Sequence, residues 1–335
     1  RAETVRAVRE AGEQDGVDGA LATARVPPPH AYGRIVRTGS YVERIVEASD
    51  AIPDELAIDE INVGIYSFRA VELADGLRRV EPHNAQGERY LTDVVALLRH
   101  VSAVDEPDVE SCAGINSMLE LAAVEDQLRR RLLDQAMLAG VRIVDPSSTF
   151  VDHDVRLAPG SRIEPFCQLR GGTTVEEGAT VGPYVAADGA TIGAGCRVGP
   201  FSYLRPGTVL HERASVGRFV ELKAAEVGPD SKVPHLSYIG DAIIGRGVNI
   251  GAGTITANYD GHEKHRTEVA DGARTSSNSV LVAPVRIGEG ATVAAGSVIT
   301  EDVPAGALAI ARPRQTVKEG YAEQVAARRE GEARP

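Results

Sequence analysis

From Leu157 onward, aliphatic residues recur every six positions. Leu157, Ile163, Leu169, Val175 and Val181 form one run, and after a slip of one the phase resumes at Ile192, Val198, Leu204, Leu210, Val216 and Leu222. It slips again through Val227 and Val233 to Ile244 and Ile250, and a last run holds Leu281, Ile287, Val293 and Ile299. A six-residue period fits neither an α-helix nor an ordinary strand. It fits a coil of three short faces, about 18 residues per turn, each face sending one aliphatic side chain inward. Successive coils then stack at the ~4.8 Å spacing of hydrogen-bonded strands. Gly, Ala, Ser or Pro often follows the aliphatic position, as tight corners require. The prediction is a parallel β-helix, left-handed as such repeats usually wind, against the general crossover rule. A narrow core of Val, Ile, Leu and Ala agrees with an aromatic share of 4%, no Trp, five Phe and 35 Gly.

The residues ahead of the repeat read differently. Residues 1–115 alternate short β-type runs, such as Gly33–Val36 and Val63–Tyr66, with helical stretches such as Ala70–Arg79 and Tyr90–His100. Asn116 or Ser117 is placed to cap a helix running to about Ala139, with Leu121, Val124, Leu128, Leu132 and Leu138 mostly three or four apart and Gly140 as its stop. The expected organisation is an α/β domain over 1–115, a linker helix arm over 116–146, the β-helix over 147–315 and a tail over 316–335. Residues 258–275 lack the hexad and read as a loop projecting from the stack.

A net charge of −12 and a pI near 5.2 argue against nucleic acid or an anionic membrane as the main partner. Cys112, Cys167 and Cys196 are odd in number and lack metal-like spacing, which fits free thiols in a reducing cytoplasm. No apolar run is long enough to span a bilayer, and no signal peptide is visible, although the chain begins at Arg1. The expected localisation is cytoplasmic.

A filled prism has no internal cavity, so chemistry must sit at corners, on the loop or between neighbouring prisms. There the segments VELK (220–223), HLSYIGDA (235–242), NIGAGTITANYDG (249–261), LVAPVRIG (281–288) and ALAIARPRQ (307–315) stand out. Together they closely resemble the bacterial bifunctional N-acetylglucosamine-1-phosphate uridyltransferase / glucosamine-1-phosphate N-acetyltransferase family. YGRIVR (32–37), IVE (45–47), EINVGIY (60–66), NAQGERYLTD (84–93) and AGIN (113–116) resemble the later part of that family's nucleotidyltransferase domain, a Rossmann-like fold.

The resemblance implies acetyl transfer from acetyl-CoA to glucosamine-1-phosphate. His235 matches the general base, and imidazole titrates in the range that task needs. On its own, a corner histidine is more often a group that only hydrogen-bonds its coil. Glu221 is near enough in the repeat to be expected to orient the His235 ring. Arg205 and Lys223 match sugar-phosphate ligands, a planar fork and a point charge that suit a phosphate dianion. Tyr238 and Asn249 match further sugar contacts. Ala252, Asn258, Tyr259, Ser277, Ala295 and Arg312 match acetyl-CoA contacts. Lys264, on the loop, is expected to reach a neighbour, because sites of this family form between subunits of a homotrimer.

In the N-terminal part, Gly33, Glu47, Asn62 and Asn116 match contacts to the uridine nucleotide sugar, and Asn116 also matches a ligand of Mg2+, which only the uridyltransferase half uses. The family's Gly-rich nucleotide loop and its metal-binding aspartate would precede residue 1. One amide oxygen is a poor magnesium site by itself, so the expectation is that this polypeptide lacks uridyltransferase activity. Two other readings of the prism stay open. A zinc hydratase needs three convergent histidines, to be found among His211, His235, His262 and His265. A degenerate scaffold would bind no acetyl-CoA.

Overall fold

The computed structural model describes residues 2–82, 84–115 and 117–332. They fall into two compact units, Arg1–Gln127 and Leu128–Pro335.

The first unit is built from α1 (Ala2–Gly12), β1 (Gly19–Arg25), β2 (Arg34–Thr38), β3 (Tyr41–Val46), α2 (Pro53–Leu56), β4 (Glu60–Phe68), α3 (Ala70–Arg79) and β5 (Val101–Asp105). One five-stranded sheet runs in the order β3-β2-β4-β1-β5. Only β1 and β5 are parallel; the other pairings are antiparallel. The interior strand β1, GALATAR, is buried through its first six residues. Its small side chains let α1 lie close, with Val8 packed on Ala20 and Ala22. Those same small residues gave no strand signal in the sequence. Helix α3 has the bounds its pattern predicts. The expected helix over Tyr90–His100 is instead a 3-10 segment, Leu91–Leu97, leading into β5.

Helix α4 (Met118–Leu138) starts where Ser117 caps it: its Oγ accepts from the Glu120 amide at 3.2 Å. Gly140 follows at φ +96°, the left-handed stop expected after the last turn.

The second unit is a parallel β-solenoid. Its first strand, Arg142–Ile143, pairs with Arg162–Ile163 one coil on. Three columns of inward residues define its faces. The first holds Leu157, Val175, Ile192, Leu210, Val227, Ile244, Val269 and Ile287. The second holds Ile163, Val181, Val198, Val216, Val233, Ile250, Thr275 and Val293. The third holds Val151, Leu169, Ala187, Leu204, Leu222, Ile239, Thr256, Leu281 and Ile299. Nearly all are fully buried and form one continuous core.

The expected loop over 258–275 is shorter than the hexad suggested. Strands Thr267–Val269 and Arg274–Thr275 re-enter the first and second faces, so only 258–266 project. Threonines at inward positions hid this return. Thr256 and Thr275 are tolerated inside because each finds partners in the neighbouring coil, whereas the buried Thr267 Oγ1 has none among the described residues. Thr275 Oγ1 accepts from the Gly251 amide at 2.9 Å, and Thr256 Oγ1 both accepts from the Gly240 amide at 2.7 Å and donates to the Gly240 carbonyl at 3.0 Å.

The corner between the second and third faces carries a stack of exposed aromatic rings. Phe166, Tyr184, Phe201 and Phe219 lie face to face, with centroids 4.6, 4.8 and 5.4 Å apart. All four have positive φ, as does Leu236 one coil further. Beyond Leu236 the same place is taken by Gly253, Asn278 and Gly296, so the bulky ladder gives way to small residues.

Candidate functional site

The corner between the third and first faces is where charge collects. Two long strands, Val220–Val227 and Tyr238–Ile244, run through it without a break, bending at Ala224 (φ +45°) and Asp241 (φ +48°). Lys223 precedes the first bend and lies opposite Gly240 in the next coil. Its ammonium contacts Asp241 Oδ2 at 3.2 Å, and the Asn258 side-chain amide donates to that same oxygen. Arg205, directly after the strand Ser202–Leu204 of the third face, donates to Glu221 Oε1 at 2.8 Å. Lys264 comes off the projecting loop to lie beside Lys223. A hydrogen bond with Lys223, and then that residue's charge, hold the Lys264 amine pKa below the lysine norm, while Lys223 stands above it through its hydrogen bonds with Lys264 and Asp241. Three basic side chains thus meet two carboxylates at this corner.

Tyr238 lies along this face. Gly240 makes room for it: a Cβ there would fall 2.4 Å from the Tyr238 hydroxyl and 2.8 Å from Asn258 Nδ2. Arg205, Lys223, Tyr238 and Asn258 are therefore brought together, with Tyr259 exposed at the loop's base.

His235 belongs to the opposite corner. It ends the strand Lys232–His235 and precedes Leu236, the last large residue of the ladder. Its ring is exposed, and its backbone carbonyl accepts from the Gly253 amide at 3.4 Å. Above it the corner climbs through Ala252, Ser277 and Ala295, linked by Asn278 N–H to Ala252 O at 2.7 Å and Gly296 N–H to Ser277 O at 2.9 Å. Arg312 continues the column, its Cδ 3.7 Å from where a Gly296 Cβ would stand. Asn249 lies apart on the second face, in register with Lys232 and Arg274.

The expected contact between Glu221 and His235 is absent. Glu221 sits on the third face in register with Tyr203 and Tyr238 and is taken up by Arg205. From His235 to Gly240, opposite Lys223, is five residues, on the order of 16 Å of extended chain. Within one chain the general-base candidate and the phosphate-binding candidates occupy opposite edges of a face. The aromatic ladder escaped the sequence reading too, because its 17- or 18-residue spacing is a coil length and not a hexad.

In the first unit, Gly33, Glu47 and Asn62 converge. The Asn62 amide donates to the Gly33 carbonyl at 2.9 Å, and a Cβ on Gly33 would lie 3.3 Å from the Glu47 carboxylate. Asn62 Nδ2 also donates to the Tyr66 hydroxyl at 2.7 Å. Asn116 lies outside the described residues. Among the described residues no three His, Cys, Asp or Glu side chains are grouped to hold a metal ion. His211 pairs with Glu226 and His265 with Asp260, on different parts of the surface.

No protein-family model matches the chain. Curated relatives do. The bifunctional protein GlmU of Thermobifida fusca is 46% identical over 97% of this chain and 71% of its own length. That of Streptomyces avermitilis is 45% identical over 99% and 73%, and that of Cyanothece sp. 43% over 96% and 75%. The chain belongs to the GlmU family. This is the bifunctional family that its HLSYIGDA and NIGAGTITANYDG segments resemble. Among solved structures, the UDP-N-acetylglucosamine acyltransferase of Francisella novicida matches 54% of this chain and 73% of its own at 20% identity and a TM-score of 0.36. No helix among the described residues is long and apolar enough to cross a membrane.

Proposed function

We propose that this chain transfers the acetyl group of acetyl-CoA to the amine of glucosamine-1-phosphate. Membership of the GlmU family carries this reading, and the two corners supply the chemistry. The basic corner, Arg205 with Lys223 and Lys264, suits a phosphate dianion, and the Tyr238 hydroxyl beside it can meet a sugar hydroxyl. The small-residue column Ala252, Ser277 and Ala295 leaves a path for the pantetheine arm, with Arg312 at one end for a phosphate of the cofactor and His235 at the other. The amine nitrogen bonds to the thioester carbonyl carbon and the C–S bond breaks. His235 takes the amine proton, and coenzyme A leaves as the thiol, protonated in turn. Backbone amides at the corner stabilise the oxyanion of the tetrahedral intermediate.

The separation of the two corners supports a second part of the reading. A substrate pair that touches both sets of residues is served by one corner of one chain and the other corner of its neighbour. We take the working form as a homotrimer with sites between subunits, in the cytoplasm.

Release of free thiol from acetyl-CoA, dependent on glucosamine-1-phosphate, tests the reaction. Wild type is expected to be active and His235→Ala to lose at least ~100-fold in kcat, the low end for a general base. An inert wild type, or an unimpaired mutant, defeats the mechanism.

A further inference from the structure

Asp241 has no part in the reaction as described, yet it touches a residue from each substrate's set. It sits at the bend of the strand Tyr238–Ile244, and one oxygen, Oδ2, accepts from both the Lys223 ammonium and the Asn258 amide. Asn258 is 8% exposed, and Lys223 and Asp241 have side chains only 19% and 21% exposed, so the three are held in a confined place. Arg205 is engaged by Glu221, and Asp241 is the carboxylate bonded to Lys223. Resting on the acetyl-transfer reading, we propose that Asp241 is a positioning residue that couples the sugar-phosphate and acetyl-CoA sites through this shared oxygen.

The physical basis is competition for one acceptor. In this structure Oδ2 divides its lone pairs between an ammonium and an amide. A phosphate dianion draws the Lys223 ammonium toward itself, and Oδ2 is then left to Asn258. The amide is fixed more tightly, with its own carbonyl oxygen free and aimed by that bond. Asn258 lies at the root of the projecting loop, so fixing it also steadies Tyr259. The same free energy must operate in reverse, so cofactor bound at Asn258 favours release of Lys223 to phosphate. Asp241 has positive φ, which Asn also tolerates, so Asp241→Asn removes the charge while keeping the bend.

Coenzyme A, which cannot react, is the probe. Its dissociation constant is measured by calorimetry on the full chain with and without saturating glucosamine-1-phosphate. In wild type the sugar phosphate is expected to tighten coenzyme A about five- to twentyfold, within the usual range for coupled sites. Asp241→Asn should bring that ratio to about one. Lys223→Met should do the same from the other side, and adding Asp241→Asn to it should change the ratio no further, the signature of one shared interaction. A merely structural Asp241 would weaken both ligands and leave the ratio intact. A wild-type ratio of one, or a wild-type ratio in either single mutant, overturns the proposal. If wild type binds neither ligand, the acetyl-transfer reading falls and this proposal with it, an outcome distinct from binding without coupling.

Discussion

From Ile163 onward every coil turns the ladder corner in the same number of residues, whereas at the Lys223 corner the number changes from coil to coil. From the second face to the third, each inward residue is six positions from the last: 163 to 169, 181 to 187, 198 to 204, 216 to 222, 233 to 239, 250 to 256, 275 to 281 and 293 to 299. From the third face to the first, the step is six at 204 to 210, five at 187 to 192, 222 to 227 and 239 to 244, and thirteen at 256 to 269. Every slip of phase in the sequence therefore maps to one edge of the prism. Four coils of the constant edge carry stacked rings, and the step stays at six where Gly253, Asn278 and Gly296 replace them. The variable edge holds Lys223, Asp241, Asn258 and the projecting loop. Regularity there would leave no room for a loop, and the five-residue steps let continuous strands carry charged side chains around the bend.

The comparison can be broken first at the constant edge. Gly217 lies one coil below Pro234, and a Cβ there would fall 2.1 Å from the Pro234 carbonyl oxygen. Backbone cannot give way cheaply, so Gly217→Ala is expected to cost about 2–3 kcal/mol, at the upper end for overpacking. Thermal melting checks this, and an unchanged midpoint would mean that the stack is looser than described. Gly240→Ala makes the same chemical change beside the variable edge. Its Cβ meets the ends of the Tyr238 and Asn258 side chains, which can move. The expected result is a stable protein whose KM for glucosamine-1-phosphate rises about tenfold, the equivalent of one lost polar contact at ~1.4 kcal/mol. A large loss of stability without a KM effect would reverse the distinction between the two edges.

Phe201 sharpens the comparison further. A side chain with φ +57° is strained by roughly 1–2 kcal/mol, and each stacked pair offsets about 0.5–1.5 kcal/mol. Phe201→Ala keeps the strain and loses both stacks, for an expected ~2 kcal/mol. Phe201→Gly loses the stacks and relieves the strain, so it should melt closer to wild type. Equal losses would show that the rings, and not the turn, set the cost.

The smallest effect concerns the loop. The Asp260 carboxylate accepts from the amides of Glu263 and His262 and from the His265 ring, and these bonds lower its pKa well below the usual carboxylate range. Because the folded value lies below the unfolded one, the loop's order is fully supported above about pH 4 and lost as pH falls toward the folded value. Amide exchange in 258–266 should rise on acidification while the hexad strands stay protected. Asp260→Asn should show raised exchange already at neutral pH.

How much of this was legible from the residues follows the same division. The aliphatic hexads announced the solenoid because branched side chains are the only large groups that fill so narrow a core. Thr256 and Thr275 concealed the return of the chain after the loop, since the partners that satisfy their buried hydroxyls come from the neighbouring coil, and that is a property of the stack. The motif match put Arg205, Lys223 and Tyr238 in one set, and the fold brings them to one corner; it put Asn249 with them and Asn258 with the cofactor contacts, whereas Asn249 lies apart on the second face and Asn258 meets Lys223 at Asp241. It misjudged Glu221, because sequence nearness to His235 says nothing about which side of a coil a residue faces. In the first unit the helix over Ala70–Arg79 was plain from its pattern, while the interior strand Gly19–Arg25 was hidden by its alanines and glycine.

One edge that absorbs the changes in coil length after the first coil also has a consequence for inheritance. A deletion or insertion anywhere else would shift all later inward positions to the wrong side of the wall. At this edge it alters a single bend and leaves the rest of the staircase intact. When relatives of different coil length are aligned, their gaps belong here. Foreign segments spliced between Asn258 and Arg266 would ride outside a prism that does not register their presence.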